Sequence, residues 1–166
     1  MSIATPNFNP LALLTALNAR HVEYIVIGGI AATIRGSDSI TADLDICYRR
    51  TKDNAQRLAA ALSAVHANLV NFPEGLQFQI HDRSIWNGEL FTLTTDHGRF
   101  DCLANPAGTS GFDDLHKAAT LEEIDGISVM VCSLDDLIRM KEAAGRIKDR
   151  IHLEQLYSLK RLLEKS

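Results

Sequence analysis

Hydrophobic and polar positions alternate between two periods along this chain, and the changes of period mark its elements. Leu11, Leu14 and Leu17 recur at helical spacing after Asn9-Pro10, an N-cap and first-turn pair, and predict a helix to about His21. Val22–Ile27 is a β-branched run closed by Gly28-Gly29, which predicts a strand. A short helix (Ile30–Arg35) and a loop (Gly36–Thr41) lead to a second strand, Leu44–Tyr48. Thr51 then caps a helix running to about Ala67, with Leu58, Ala61, Leu62 and Val65 as its apolar stripe. The middle of the chain returns to period two. Leu76–His81 alternates like a half-buried strand, and Leu90–Thr95 with Arg99–Leu103 flanks Asp96-His97-Gly98 as a hairpin. Phe112–Leu121 predicts a short helix and Ile127–Cys132 a strand. Ser133 with Asp136 resembles a capping box opening a helix to about Ala144, and a last helix follows Gly145 to about Glu164. The order implies an α/β (α+β) fold with a mixed sheet and flanking helices. It reads as one domain over residues 1–166, with a helical C-terminal tail from 134 to 166.

Composition narrows the class. The chain has 166 residues, 46% hydrophobic and 23% charged, enough to bury roughly 70% of its unfolded surface without a disulfide or metal staple. No apolar run approaches a membrane span, and the start lacks a signal-peptide layout. Cys47, Cys102 and Cys132 are odd in number, widely spaced and set in apolar stretches, which points to a reducing, cytoplasmic setting. The formal net charge of -4 argues against a basic nucleic-acid coat. It hides an asymmetry, because residues 139–166 hold eight basic and four acidic side chains while the rest of the chain is acidic. An acidic body with a basic tail suits a metal with a phosphate held between them.

The chemistry concentrates in Gly28-Gly29 and Asp43-Leu44-Asp45-Ile46. Alternate strand residues share a face, so Asp43 and Asp45 project together while Leu44 and Ile46 face the other way. Two adjacent carboxylates repel unless a cation lies between them, and Mg²⁺ prefers oxygen ligands. A glycine pair at a strand end lets backbone N–H groups approach phosphate. Asp101 is a third carboxylate, embedded among Phe100, Cys102 and Leu103 where an unpaired charge is costly. Three such groups suit a two-metal phosphoryl-transfer site. On the following helix, Leu134, Leu137 and Ile138 define a core stripe whose next position is Lys141. Lys141, aided by Lys148 or Arg146, is the candidate triphosphate-binding group. Arg99 reads as a partner for a nearby carboxylate, Trp86 as a core or interface residue, and the six histidines show no ligand spacing.

These residues resemble the core of the polymerase-β-like nucleotidyltransferase superfamily. More narrowly the chain resembles the small prokaryotic nucleotidyltransferases of the AbiEii type. The likeness extends through Arg99-Phe100-Asp101, Ser133–Ile138, Met140-Lys141, Ala144-Gly145-Arg146 and Lys148-Asp149, from about Tyr24 to Leu156. It implies that Asp43 and Asp45 bind Mg²⁺, with Asp101 as third carboxylate and base. It also implies transfer of a nucleoside monophosphate from an NTP, ATP among them, to a protein or RNA hydroxyl. Relatives often belong to toxin–antitoxin or phage-defence pairs, which implies a cognate toxin or antitoxin partner. Two positions depart from the pattern: Ser39 stands where many relatives carry Arg, and His152 where a second acidic residue is common. A different class, a non-catalytic nucleotide-binding or antitoxin-like module on the same scaffold, is the alternative expectation.

Overall fold

The computed structural model describes residues 3, 7–73 and 80–165. The first helix, α1 (Pro10–Ala19), starts where Asn9 accepts a hydrogen bond from the Ala12 N–H, as the Asn-Pro pair predicts. It ends at Ala19, just short of the expected boundary, because His21 turns into the left-handed region. β1 (Tyr24–Ile27) follows and is buried throughout. It runs directly into α2 (Gly28–Ile34) and then, through the loop, to β2 (Asp43–Tyr48). α3 (Lys52–Ala64) is capped by Thr51 and stops before Ala67, with His66 again left-handed.

β3 (Asn68–Leu69) and α4 (Asp82–Asn87) were not expected. The strand expected at Leu76–His81 lies outside the described residues except for Ile80 and His81, which are not in a strand. β4 (Leu90–Thr95) and β5 (Gly98–Leu103) form the predicted hairpin. The expected helix at Phe112–Leu121 is corrected: α5 (Phe112–His116) is shorter, and Thr120–Ile124 is a strand, β6. Asp125-Gly126, both at positive φ, make a two-residue turn that folds β6 back onto β7 (Ile127–Val131). α6 (Leu134–Ala144) begins at Ser133, whose hydroxyl accepts from the Asp136 N–H, and left-handed Gly145 ends it before α7 (Asp149–Glu164).

The seven strands form one mixed sheet in the order β3-β4-β5-β2-β1-β7-β6. β2 runs antiparallel to β1 and parallel to β5, while β7 runs parallel to β1. One sheet face presents Leu44, Ile46, Phe100 and Cys102, which join Leu13, Leu14 and Leu17 of α1 and Leu58 and Leu62 of α3 in the core. Fully burying such a side chain contributes roughly 1.5–3 kcal/mol. Two polar clamps hold the sheet. Buried Asn54 accepts from the Glu23 N–H and donates to the Glu23 and Arg49 carbonyls, tying the start of β1 to the end of β2. Arg35 donates to the Val131 and Cys132 carbonyls, to Glu122 and to Thr120, fastening β6 and β7 to the end of α2.

All three cysteines are free and buried, and burial pushes the Cys47 and Cys132 thiols up to about 12. Trp86, expected in core or interface, is 39% exposed beneath the Lys52 ammonium. Among the described residues no helix is long and apolar enough to cross a membrane.

Candidate active site

The parallel pairing of β2 and β5 assembles the carboxylates. Its register sets Asp43 opposite Arg99 and Asp45 opposite Asp101. Asp43, Asp45 and Asp101 each offer an oxygen within 4.8 Å of the others.

The glycine pair makes room for them. Gly28 is left-handed (φ +68°), and a Cβ there would lie 2.1 Å from Asp45 Oδ2. A Cβ on Gly29 would lie 2.7 Å from Thr41 Oγ1, the hydroxyl that donates to Asp43 Oδ1 at 3.1 Å. Each glycine therefore seats one carboxylate, directly for Asp45 and through Thr41 for Asp43.

Electrostatics make the cluster one that could hold a cation. Burial, and after it the Asp43 and Asp101 charges, push the Asp45 carboxyl up to about 8 against the pull of Lys141. Asp101 is raised by its own burial and by Asp43, with Arg99 opposing the rise. Asp101 Oδ1 is buried with no hydrogen-bond partner, an exception in folded proteins that a bound cation would resolve. The donor set is all oxygen, which suits Mg²⁺.

Lys141, Arg146 and Lys148 stand together on the other wall. Asp149, 1% exposed, accepts from Lys141 Nζ at 3.0 Å and from Arg146 Nε at 2.7 Å. Burial alone would raise its pKa, but the two hydrogen bonds and charges outweigh it and hold the carboxyl at about 2. Between this wall and the carboxylates lies a cavity of about 470 Å³, also lined by Gly28, Gly29 and Lys148. The residues singled out in the sequence thus meet in one place. Lys141 differs in one respect, since it is already engaged by a carboxylate.

Asp149 is the residue that spacing left without a role, because it reads as one acid in a basic tail. Thr41 was missed too, having no pattern of its own. Ser39 donates to Gln155 Oε1 at 2.7 Å, joining the loop before β2 to α7, and His152 lines the cavity.

No family model matches the chain. No curated protein matches it either. Solved structures do. A candidate nucleotidyltransferase from Thermotoga maritima superposes with a TM-score of 0.55 at 16% identity, over 95% of this chain and 91% of that one. The fold is a nucleotidyltransferase fold. The lincosamide antibiotic adenylyltransferase LnuA, in its lincomycin-bound form, shares it with a TM-score of 0.60 at 15% identity, over 92% and 99% of the two chains. ANT(2'')-Ia, in complex with adenylyl-2''-tobramycin, shares it with a TM-score of 0.56 at 18% identity, over 93% and 87%. In this chain the nucleotidyltransferase fold sets the acidic cluster and the basic wall across one cavity.

Proposed function

We propose that this protein is a Mg²⁺-dependent nucleotidyltransferase that moves a nucleoside monophosphate from an NTP to an acceptor hydroxyl. The observation that carries the proposal is the convergence of Asp43, Asp45 and Asp101, one oxygen of Asp101 being buried and unpartnered, across a cavity from Lys141 and Lys148. Asp43, Asp45 and Asp101 would hold Mg²⁺, which supplies charge neutralisation at the phosphates and lowers the pKa of a bound hydroxyl.

Lys141 and Lys148, with Arg146, hold the triphosphate tail, and Gly28 and Gly29 keep the strand end open to it. Asp149 fixes the direction of Lys141. Asp101 takes the proton of the attacking hydroxyl. The acceptor oxygen bonds to the α-phosphorus in line, the bond to the bridging oxygen breaks, and pyrophosphate leaves with the electron pair. Positioning and charge neutralisation lower most of the barrier.

The AbiEii-type resemblance favours a setting in a toxin–antitoxin or phage-defence pair and a protein or RNA acceptor. Small-molecule acceptors are supported by the names of the antibiotic-modifying enzymes that share the fold. Transfer of label from each α-labelled NTP, with Mg²⁺, to RNA, protein and small alcohols tests the reaction. Asp101→Asn abolishes transfer and leaves NTP binding measurable; unchanged turnover overturns the assignment. Binding of NTP with no transfer by the native chain supports the non-catalytic module instead. Co-purification with the product of an adjacent gene tests the paired setting.

A further inference from the structure

The sheet face that carries the carboxylates changes character along its strands. Arg99, Asp101 and Leu103 share one face of β5, and β4 sets Thr94, Thr92 and Leu90 opposite them. From one end of this pair to the other, charge gives way to apolar surface, with Asp101 and Thr92 at the boundary. α6 repeats the division, since Leu137, Met140 and Ala144 follow one another at three- and four-residue spacing beside Lys141.

A second cavity, of about 350 Å³, opens over the apolar end. Its walls include Leu90, Leu103, Pro106, Leu137, Met140 and Ala144, and it shares Asp45, Asp101 and Lys141 with the larger cavity. Among the described residues its only acidic groups are Asp45 and Asp101. Among the described residues its cations are Lys141 and Arg146, which also line the larger cavity where the triphosphate is held.

Resting on the nucleotidyltransferase reading above, with the NTP in the charged cavity, we infer that the smaller cavity receives the acceptor and that the acceptor is a small alcohol or phenol with an apolar body. A polyamine would find no carboxylate there beyond those that bind metal. A polynucleotide would bring phosphates against an apolar wall built from Leu90, Leu103, Pro106 and Met140. An apolar body buries against Leu90, Leu103 and Met140, which leaves its hydroxyl as the one polar group to meet Asp101 and Thr92 at the boundary. The hydroxyl proton passes to Asp101, the oxygen bonds to the α-phosphorus, and pyrophosphate departs with the electrons of the broken bond.

The test incubates the full chain with Mg²⁺ and each α-labelled NTP, offering 4-ethylphenol, 2-cyclohexylethanol, tobramycin, a single-stranded RNA and an unfolded protein as acceptors. The expected result is a labelled phosphodiester on the two apolar alcohols, with kcat/KM at least about 10-fold above that for the other acceptors. Preferential labelling of tobramycin, RNA or protein overturns the inference. Release of pyrophosphate by hydrolysis alone, with no alcohol labelled, overturns it and leaves the nucleotidyltransferase reading standing. Absence of pyrophosphate under every condition overturns that reading as well. In folded variants, Met140→Glu raises the alcohol KM more than about 10-fold, and Met140→Leu holds it near the native value. A fall in kcat with KM unchanged in Met140→Glu would show a structural role and overturn the placement of the acceptor.

Discussion

Gly28 and Asp45 are fitted to each other: the carboxylate of Asp45 occupies the volume that any side chain at position 28 would need. The backbone there is left-handed, so even a methyl group adds about 1–2 kcal/mol of strain before any clash. Gly28→Ala therefore displaces Asp45. We expect transfer to fall more than about 100-fold, the usual penalty for displacing a reacting geometry by an ångström. Divalent-ion titration of the variant, followed calorimetrically, checks that the loss begins at the metal.

The raised pKa of Asp45, about 8 against about 3.9 for an unfolded aspartate, has a signed consequence. Between these values the native state binds more protons than the unfolded state, so without divalent ions stability falls as pH rises from about 4 to about 8. Urea unfolding in EDTA across that window should show the fall, and Asp45→Asn should flatten it. Binding of Mg²⁺ at neutral pH should release close to one proton, read from the heat of binding in buffers of different ionisation enthalpy.

Asp149 carries the opposite sign. Its folded pKa of about 2 lies below the unfolded value, so its stabilisation is present above about pH 4 and is lost as pH falls through 2. Asp149→Ala leaves Lys141 and Arg146 facing each other without their shared acceptor. We expect a loss of about 2–4 kcal/mol in urea unfolding and a weaker NTP affinity. Retention of both would remove Asp149 as the anchor of the basic wall.

Arg35 makes a test of the fold away from the chemistry. Arg35→Met strands the Val131 and Cys132 carbonyls and frees Glu122, at about 1–3 kcal/mol. Hydrogen exchange should quicken in β6 and β7 first, since β6 is an edge strand held by β7 and this clamp.

Much of the candidate site was legible because its signals are local. Asp43 and Asp45 share a face by strand period alone, and Asp101 stands out as a charge amid Phe100 and Cys102. The helix expected at Phe112–Leu121 failed because the pattern was followed past α5 into β6. Asp125-Gly126, a strong two-residue hairpin signal, is what sets that strand's direction. Asp149 was beyond reach for another reason: its burial exists only once Gly145 folds α7 back along α6, bringing Lys141 and Asp149 within 3.0 Å. Likewise, nothing local announces that Gly29 leaves space for the Thr41 hydroxyl.

The β2–β5 register gives the cluster a place in time as well as in space. Asp45 and Asp101 are 56 positions apart in the chain and belong to parallel strands, whose pairing must wait for the long crossover between them to close. Non-local parallel pairings are among the slowest steps of folding, since loop-closure entropy is lost before contacts reward it. Neither strand alone gathers the three oxygens. The ability to capture a divalent ion therefore arises only when this junction closes, so metal affinity reports on completed topology rather than on secondary structure.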